Sequence, residues 1–207
     1  MPDVHIELNY HTPLELLVAV MLSAQCTDKR VNLVTPALFQ RFPDAAAYAR
    51  ATAAEVEPYI RTLGLYRAKA KNLVAAAQAL VAEHGGQVPL SRAVLEGLPG
   101  VGHKTAGVVC IHLGGDPSFP VDTHVKRLAG RLGFSAHTDP DKVELDLQAL
   151  LPPERWMKGH QLLVWHGRRT CFAQSPACER CVVAPLCPQR GVKPAATARG
   201  ATRASRP

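Results

Sequence analysis

Residues 98–105 have the sequence LPGVGHKT, and this short stretch decides both the fold and the candidate site of the 207-residue chain. The proline ends a short helix predicted at about residues 91–97, and a second helix is predicted to start near His103. Gly100 and Gly102 permit positive φ and leave no side chain to obstruct an approaching group. The turn therefore exposes backbone N–H groups beside a helix N-terminus, an arrangement that binds phosphate.

A turn of this kind between two short helices is a helix-hairpin-helix, which holds a DNA backbone without reading its base sequence. The alternative is a plain helix–helix turn, because Pro-Gly is common in such turns. The whole string is much rarer than the Pro-Gly pair, which favours the DNA-binding interpretation.

The remainder of the chain is predicted to be all-α. Capping boxes begin helices at Thr12 and Thr52, and Asp139-Pro140 begins another. Gly64 is a suitable stop for the helix that follows Thr52. Residues 66–83 are rich in Ala, Leu and Lys and end at a glycine pair. No convincing alternating pattern indicates a strand.

Two regions of the chain differ in composition and in the elements that they predict. Residues 6–116 form a run of amphipathic helices, predicted as a six-helix domain with the hairpin at about 91–113. Residues 117–187 begin with a proline-rich turn and end in a cysteine cluster, which predicts a second, smaller helical domain that residues 1–5 could join. Residues 188–207 are rich in Pro, Ala, Arg, Thr and Gly and are predicted to be a disordered basic tail.

The formal net charge is +7, which suggests a polyanionic partner. Without the five basic residues that follow the last cysteine, the net charge of residues 1–187 is +2. A basic tail on an ordinary enzyme therefore explains the charge as well as a nucleic-acid partner does. No stretch approaches the roughly 20 apolar residues of a membrane span, and no secretion signal precedes the first helix. These patterns predict a cytoplasmic location with reduced thiols.

Four cysteines lie close together in the spacing C-x6-C-x2-C-x5-C: Cys171, Cys178, Cys181 and Cys187. So many thiols in one short segment of a reduced protein indicate a metal centre. Zinc is the alternative to iron–sulfur, although zinc sites usually combine two closely spaced pairs and this segment contains one. The segment is too short to build its own core, so the predicted role of the centre is structural.

Several motifs together resemble one family. The string LPGVGHKTA, followed by PVDTH at residues 120–124, is similar to the helix-hairpin-helix DNA glycosylases, and specifically to bacterial endonuclease III. SAQ at residues 23–25, TD at residues 27–28 and GLY at residues 64–66 also match, whereas Cys26 stands where relatives often have alanine, and the resemblance covers about residues 7–187. It implies an all-α fold with a six-helix domain, a smaller iron–sulfur domain, an active-site cleft between them and a [4Fe-4S] cluster on the four cysteines.

The hairpin lysine is the candidate nucleophile. A lysine attacks carbon only as the neutral amine; the N-terminus of a helix disfavours the ammonium form of Lys104, and partial burial would act in the same direction. The resemblance implies that Lys104 attacks the sugar C1′, expels the base, forms a Schiff base and permits β-elimination. The alternative is a solvated lysine that contacts phosphate.

Asp122 is, from its sequence context alone, the N-cap of a helix predicted at residues 123–131. Backbone hydrogen bonds to a cap favour the charged carboxylate, which is a weak base but a good partner for a developing cationic sugar. The resemblance assigns this position as catalytic. We therefore expect transition-state stabilisation from Asp122, with deprotonation of the lysine or of water as the second role.

An enzyme that acts on a base must rotate the nucleotide out of the duplex. The resemblance implies that Gln25 fills the gap, that Leu65 wedges the opposite strand, and that His124 lies along the DNA face. Gly100 and Gly102 would contact phosphate. Leu65 could instead pack at the start of its helix, and His124 could be a surface group with its hydrogen bonds satisfied.

The motifs together predict a monomeric bifunctional glycosylase and apurinic/apyrimidinic lyase. Its expected partner is double-stranded DNA that contains oxidised pyrimidines or abasic sites, with no membrane partner. One alternative is a non-catalytic DNA-binding module, because Phe172–Ala177 lack the Lys and Arg of relatives. A mismatch adenine glycosylase is disfavoured, because that class typically lacks the hairpin lysine.

Overall fold

The computed structural model describes residues 4–192, and within this range the chain forms ten α-helices and no strand. The predicted all-α fold is therefore confirmed. No helix in the described range is long and apolar enough to cross a membrane. The helices are α1 Pro13–Ser23, α2 Asp28–Arg41, α3 Ala45–Arg50, α4 Ala53–Ile60, α5 Tyr66–His84, α6 Arg92–Glu96, α7 His103–Leu113, α8 Thr123–Leu132, α9 Pro140–Leu150 and α10 Trp156–Arg169.

Local capping explains where several helices begin. The Thr12 hydroxyl accepts a hydrogen bond from the Glu15 N–H (3.1 Å), and Asp139 caps α9 in the same way. The N–H of Thr52 donates to the Glu55 carboxylate (2.8 Å), which completes the predicted capping box of α4.

The end of α4 differs from the prediction. The helix stops at Ile60 rather than at Gly64, because the chain turns there to bury Leu63 against the core.

The larger core lies among the helices of residues 13–113. Every side chain of α1 from Leu16 to Leu22 is buried, as expected of a central helix that is apolar on all sides. Helices α2, α5 and α7 pack around α1, and α3 and α4 pack on α5. The region predicted as a six-helix domain contains seven helical segments, of which α3 and α6 have only six and five residues.

A smaller core lies in the C-terminal half. Phe119, Val125, Val143 and Leu147 are buried together, and α10 covers them by packing on α8. The N-terminal segment lies against α10, where the Trp165 indole N–H donates to the carbonyl of His5 (2.8 Å). The two cores lie on either side of residues 116–117, and the use of this point as a domain boundary stays a prediction.

The start of the predicted tail has defined contacts. Residues 188–192 lie against the end of α8, where the Arg190 N–H donates to the carbonyl of Arg131 (3.2 Å). These five residues therefore do not fit the predicted disorder. The remaining residues of the predicted tail, 193–207, lie outside the described residues.

An ion-pair network joins the two cores. Glu144 on α9 is 4% exposed; it accepts hydrogen bonds from Arg92 on α6 (2.6 and 3.0 Å) and contacts Nε2 of His103 on α7 (3.1 Å). It also accepts from the backbone N–H of Phe119 (3.2 Å). Burial alone would raise the pKa of Glu144, but these donors, led by Arg92, outweigh burial and lower it.

We expect Glu144→Gln to lower the free energy of unfolding by about 3 kcal/mol at neutral pH, because it removes the buried counter-charge of the partly buried Arg92 guanidinium and leaves only the more exposed Glu96 as its partner. The folded-state pKa of Glu144 lies below its ordinary value of 4.5, so its contribution is complete above that value. The contribution is lost as the pH falls through the lower folded-state pKa. Urea unfolding of both proteins between pH 7 and pH 3 should therefore show a difference that shrinks in acid.

Glu154→Gln is the matched control, since Glu154 is exposed beyond α9. It should change the unfolding free energy by less than about 0.5 kcal/mol. A difference between the wild type and Glu144→Gln that is the same at every pH would contradict the assignment of a charged, stabilising Glu144.

Candidate active site

In the hairpin between α6 and α7, Gly100 has the positive φ that glycine permits, whereas Gly102 has an extended conformation (φ −92°). Gly100 adopts a φ of +77°, and a β-carbon at this position would lie 2.6 Å from the Asn72 side chain on α5. Two constraints therefore require glycine here, the backbone conformation and the closeness of α5. Gly102 is the N-cap of α7 and has open space around its Cα, so the backbone can be approached closely from outside.

Lys104 is the second residue of α7 and lines a solvent-open cleft of about 580 Å³. Residues of both cores line this cleft, among them Val20 and Val164. The Lys104 side chain is exposed, so the partial burial expected from the sequence is not present in the free protein.

Asp122 lines the same cleft from the opposite core. It is the N-cap of α8, and its carboxylate accepts a hydrogen bond from the Val125 N–H (2.7 Å). This bond fixes the direction of the carboxylate. The structure therefore brings the predicted nucleophile and the predicted anion together in one cleft.

Further charged groups line the same cleft. Arg168 on α10 forms ion pairs with Glu7 and with Asp28 (2.8 Å), which joins the N-terminal segment and α2 to α10. The sequence prediction did not single out Glu7 or Arg168. Nothing in the local sequence marks Glu7 or Arg168 as a site residue, because Glu7, Asp28 and Arg168 are far apart in the chain and meet only in the folded protein.

Gln25 and Leu65, the predicted duplex-opening residues, lie on neighbouring loops. Both have positive φ (57° and 59°), which is uncommon for residues with side chains. The Leu65 side chain is 61% exposed, and Gln25 is exposed as well. A β-carbon at Gly64 would lie 4.0 Å from the Cys26 sulfur, so the two loops are in contact.

His124 is not among the residues that line the cleft. Its ring packs between α8 and α10, where its Nδ1 contacts Arg127 Nη2 (3.1 Å). A β-carbon at Gly167 would lie 2.9 Å from the same nitrogen. This packing gives His124 a structural role, and its predicted contact with DNA stays a prediction.

The four clustered cysteines line one partly open cavity between α8, α10 and the loop of residues 171–187. Because all four line the same space, this cavity is the candidate site for the metal centre. N–H groups donate to two of the sulfurs, from Arg131 to Cys171 (3.3 Å) and from Gln189 to Cys187 (3.4 Å). Such donors suit anionic thiolate ligands.

Two arginines of α8 hold the start of the cysteine-containing loop, residues 171–187, in place. Arg127 donates to the carbonyl of Cys171, and Arg131 donates to the carbonyls of Phe172 (2.6 Å) and Ala173 (2.9 Å). These bonds satisfy backbone carbonyl groups of a loop that has almost no apolar packing of its own. The position of the loop therefore depends on its bonds to α8 and on the group that binds between the four cysteines.

Comparison with known proteins identifies the class. The sequence model of the HhH-GPD superfamily of base excision DNA repair proteins matches residues 18–153. The model of the iron–sulfur binding domain of endonuclease III matches residues 171–187, a range that begins and ends at clustered cysteines. The fold and the site thus define a helix-hairpin-helix base-excision repair protein with an iron–sulfur domain.

Individual relatives narrow the class further. Endonuclease III of Synechocystis sp. is 48% identical over 90% of this chain and 86% of its own length, and that of Escherichia coli K12 is 42% identical over 90% and 88%. The structure of a trapped endonuclease III–DNA covalent intermediate matches with a TM-score of 0.86 and 44% identity, over 91% of this chain and 89% of that one. The chain belongs to the endonuclease III family.

This membership confirms the activity predicted from the motifs. The protein is a base-excision-repair DNA glycosylase and apurinic/apyrimidinic lyase, and neither the non-catalytic alternative nor the adenine glycosylase is favoured. The predicted [4Fe-4S] cofactor is confirmed as well, which removes zinc as the alternative.

Proposed function

We propose that this enzyme excises oxidised pyrimidines from double-stranded DNA, with Lys104 as the nucleophile and Asp122 as its electrostatic partner. The observation that carries the proposal is that these two side chains, 18 residues apart in sequence, line one cleft between the two cores. We also propose that the protein acts as a cytoplasmic monomer.

The proposed reaction begins with attack of the Lys104 amine on C1′ of the damaged nucleotide. The C1′–N bond breaks, and the base leaves with the bonding electron pair and a proton. Opening of the sugar ring gives a protonated imine between Lys104 and C1′, which acidifies the C2′ hydrogen. Loss of that proton expels the 3′ phosphate by cleavage of the C3′–O bond, and water then hydrolyses the imine and restores the amine.

Asp122 supports this chemistry by its charge. Positive charge develops on the sugar as the base leaves, and a carboxylate held by the Val125 N–H is already oriented toward the cleft. Such an oriented charge stabilises the transition state without having to reorganise. Deprotonation of the lysine or of water is the second role open to Asp122.

We expect Asp122→Asn to slow base release by about a hundredfold, because it removes this charge. Asparagine is as good an N-cap as aspartate, so α8 should keep its stability. Single-turnover release of an oxidised pyrimidine, measured beside thermal unfolding, separates the two effects. An unchanged rate of base release would contradict the electrostatic role.

The remaining predicted residues have distinct proposed roles on DNA. Gly100 and Gly102 allow backbone N–H groups of the hairpin to bind phosphates. The exposed Leu65 wedges between bases of the opposite strand, and Gln25 fills the space that the everted nucleotide leaves. Their positive φ values hold both side chains outward on adjacent loops, which supports these roles.

We propose that the thiolates of Cys171, Cys178, Cys181 and Cys187 bind the [4Fe-4S] cluster. Four neighbouring thiolates repel one another, and the positive charge of bound iron would offset that repulsion. In this proposal the bound cluster fixes the loop against α8 and leaves the chemistry to the cleft.

A panel of duplexes tests the substrate class. Each duplex would carry one oxidised pyrimidine, one oxidised purine, one adenine mismatch or one abasic site, and strand cleavage would be measured in each. We expect cleavage at the oxidised pyrimidines and at the abasic site. Cleavage confined to the mismatch or to the oxidised purine would overturn the proposed substrate.

A further inference from the structure

Three polar side chains of the active-site cleft have no role in the proposed reaction. His160 and Gln161 on α10 and His112 on α7 line the same cleft as Lys104 and Asp122. Apolar side chains, among them Val108 and Val164, lie beside them in the same cleft. Polar groups held in fixed directions within a cleft are the usual basis of ligand selection.

His160 presents a hydrogen-bond acceptor to the cleft. It is 7% exposed, and its Nδ1 lies 2.9 Å from the carbonyl of Pro120. Because a carbonyl can only accept, the ring proton is on Nδ1. Burial lowers the pKa of His160 to about 4, so the ring is neutral near pH 7 and Nε2 carries a lone pair. Nε2 makes no hydrogen bond within residues 4–192.

His112 orients Gln161 in a related way. Its Nδ1 donates to the carbonyl of Val108 (2.8 Å), and burial lowers its pKa. Its Nε2 is therefore an acceptor and faces the amide nitrogen of Gln161 at 3.5 Å. This contact turns the Gln161 nitrogen toward His112 and leaves the amide oxygen, a second acceptor, for the cleft.

We propose that His160 Nε2 and the Gln161 amide oxygen bind the everted base by accepting hydrogen bonds from its N–H and O–H groups. The inference rests on the proposed function and names how the same cleft selects its substrate. A pyrimidine that has lost its 5,6 double bond and gained ring hydroxyls offers more donors than thymine, which offers only N3–H. Two fixed acceptors therefore favour the hydroxylated ring.

A comparison of two reactions tests this role. Base release from DNA that contains a hydroxylated pyrimidine requires recognition of the base, whereas cleavage at a preformed abasic site proceeds with no base present. Both reactions use Lys104 and Asp122. A residue that acts only on the base should therefore affect the first reaction and leave the second unchanged.

His160→Asn is the sharpest variant, because the asparagine amide nitrogen can take the place of Nδ1 and keep the bond to the Pro120 carbonyl. The variant loses the acceptor at Nε2 together with the ring contact to Phe119. We expect base release to slow about tenfold, which is the effect of one lost hydrogen bond. Cleavage of the abasic duplex should stay within about twofold of the wild type.

Gln161→Met provides an independent variant of similar length without polar atoms, and we expect the same pattern from it. His84→Asn is the matched control. His84 is the last residue of α5 and lies about 28 Å along that helix from Leu65, the N-cap at its other end. This variant should leave both reactions unchanged.

Two results would overturn the inference. Equal losses in both reactions would mean that His160 acts through Pro120 on the position of Asp122 rather than on the base. Unchanged base release in His160→Asn and Gln161→Met would mean that neither His160 nor Gln161 contacts the base. Failure of the proposed function would be visible separately, as a wild-type protein that does not release the hydroxylated pyrimidine.

Discussion

Lys104→Gln is expected to slow both base release and strand cleavage by at least about a thousandfold. Glutamine has no nucleophilic amine, so neither the covalent bond to C1′ nor the imine can form. Borohydride reduces an imine to a stable amine, and it should therefore trap the wild-type protein on DNA that carries an abasic site. The Lys104→Gln protein should give no trapped complex.

DNA binding should survive this change, which separates chemistry from recognition. The hairpin N–H groups and the loops of Gln25 and Leu65 are unaltered, so affinity for an abasic duplex should fall by less than about tenfold, the effect of one lost charge.

Lys142→Gln, on the exposed side of α9, removes the same charge away from the cleft and should keep full activity. Trapping that persists in Lys104→Gln would assign the nucleophile to another amine.

Cys181→Ser is expected to cost the protein its cluster and the folding of its C-terminal loop. Metal centres of this kind couple on the order of 10 kcal/mol of binding free energy to folding, and the loop has few other contacts than the arginines of α8. The purified variant should lose the yellow-brown colour of the wild type and most of its iron. Limited proteolysis should then cut after Cys171, where the wild type resists.

Cys26→Ser is the control for this experiment. Cys26 lies outside the cysteine cavity and contacts Lys69 Nζ at 3.1 Å, so its replacement should leave iron content and protease resistance unchanged. A Cys181→Ser protein with full iron content would refute Cys181 as a ligand, and a colourless wild type with one zinc would refute the cofactor.

Much of the secondary structure could be predicted because its signals are local. Capping residues such as Thr52 and Asp139 act on N–H groups two or three positions away. A glycine pair after residue 84 provides the left-handed residue that ends α5. The prediction was less successful at the end of α4, where burial of Leu63 against distant helices outweighed the local glycine signal.

Short motifs also determined most of the candidate site, because the hairpin string and the cysteine spacing are each contained within about 20 residues. Lys104, Asp122 and the four cysteines were all identified in this way. The roles assigned to them came from resemblance, since a local reading of Asp122 gives only a helix cap.

Only the tertiary structure decided what surrounds these residues. It places Lys104 and Asp122 in one cleft and leaves the lysine exposed. It also adds His160 and Arg168 from α10, a helix that begins more than 50 residues after Lys104. It also joins Glu144 to the hairpin region. The physical reason is range: caps and turns depend on neighbours within a few positions, whereas a cleft is formed by packing between helices that are distant in sequence.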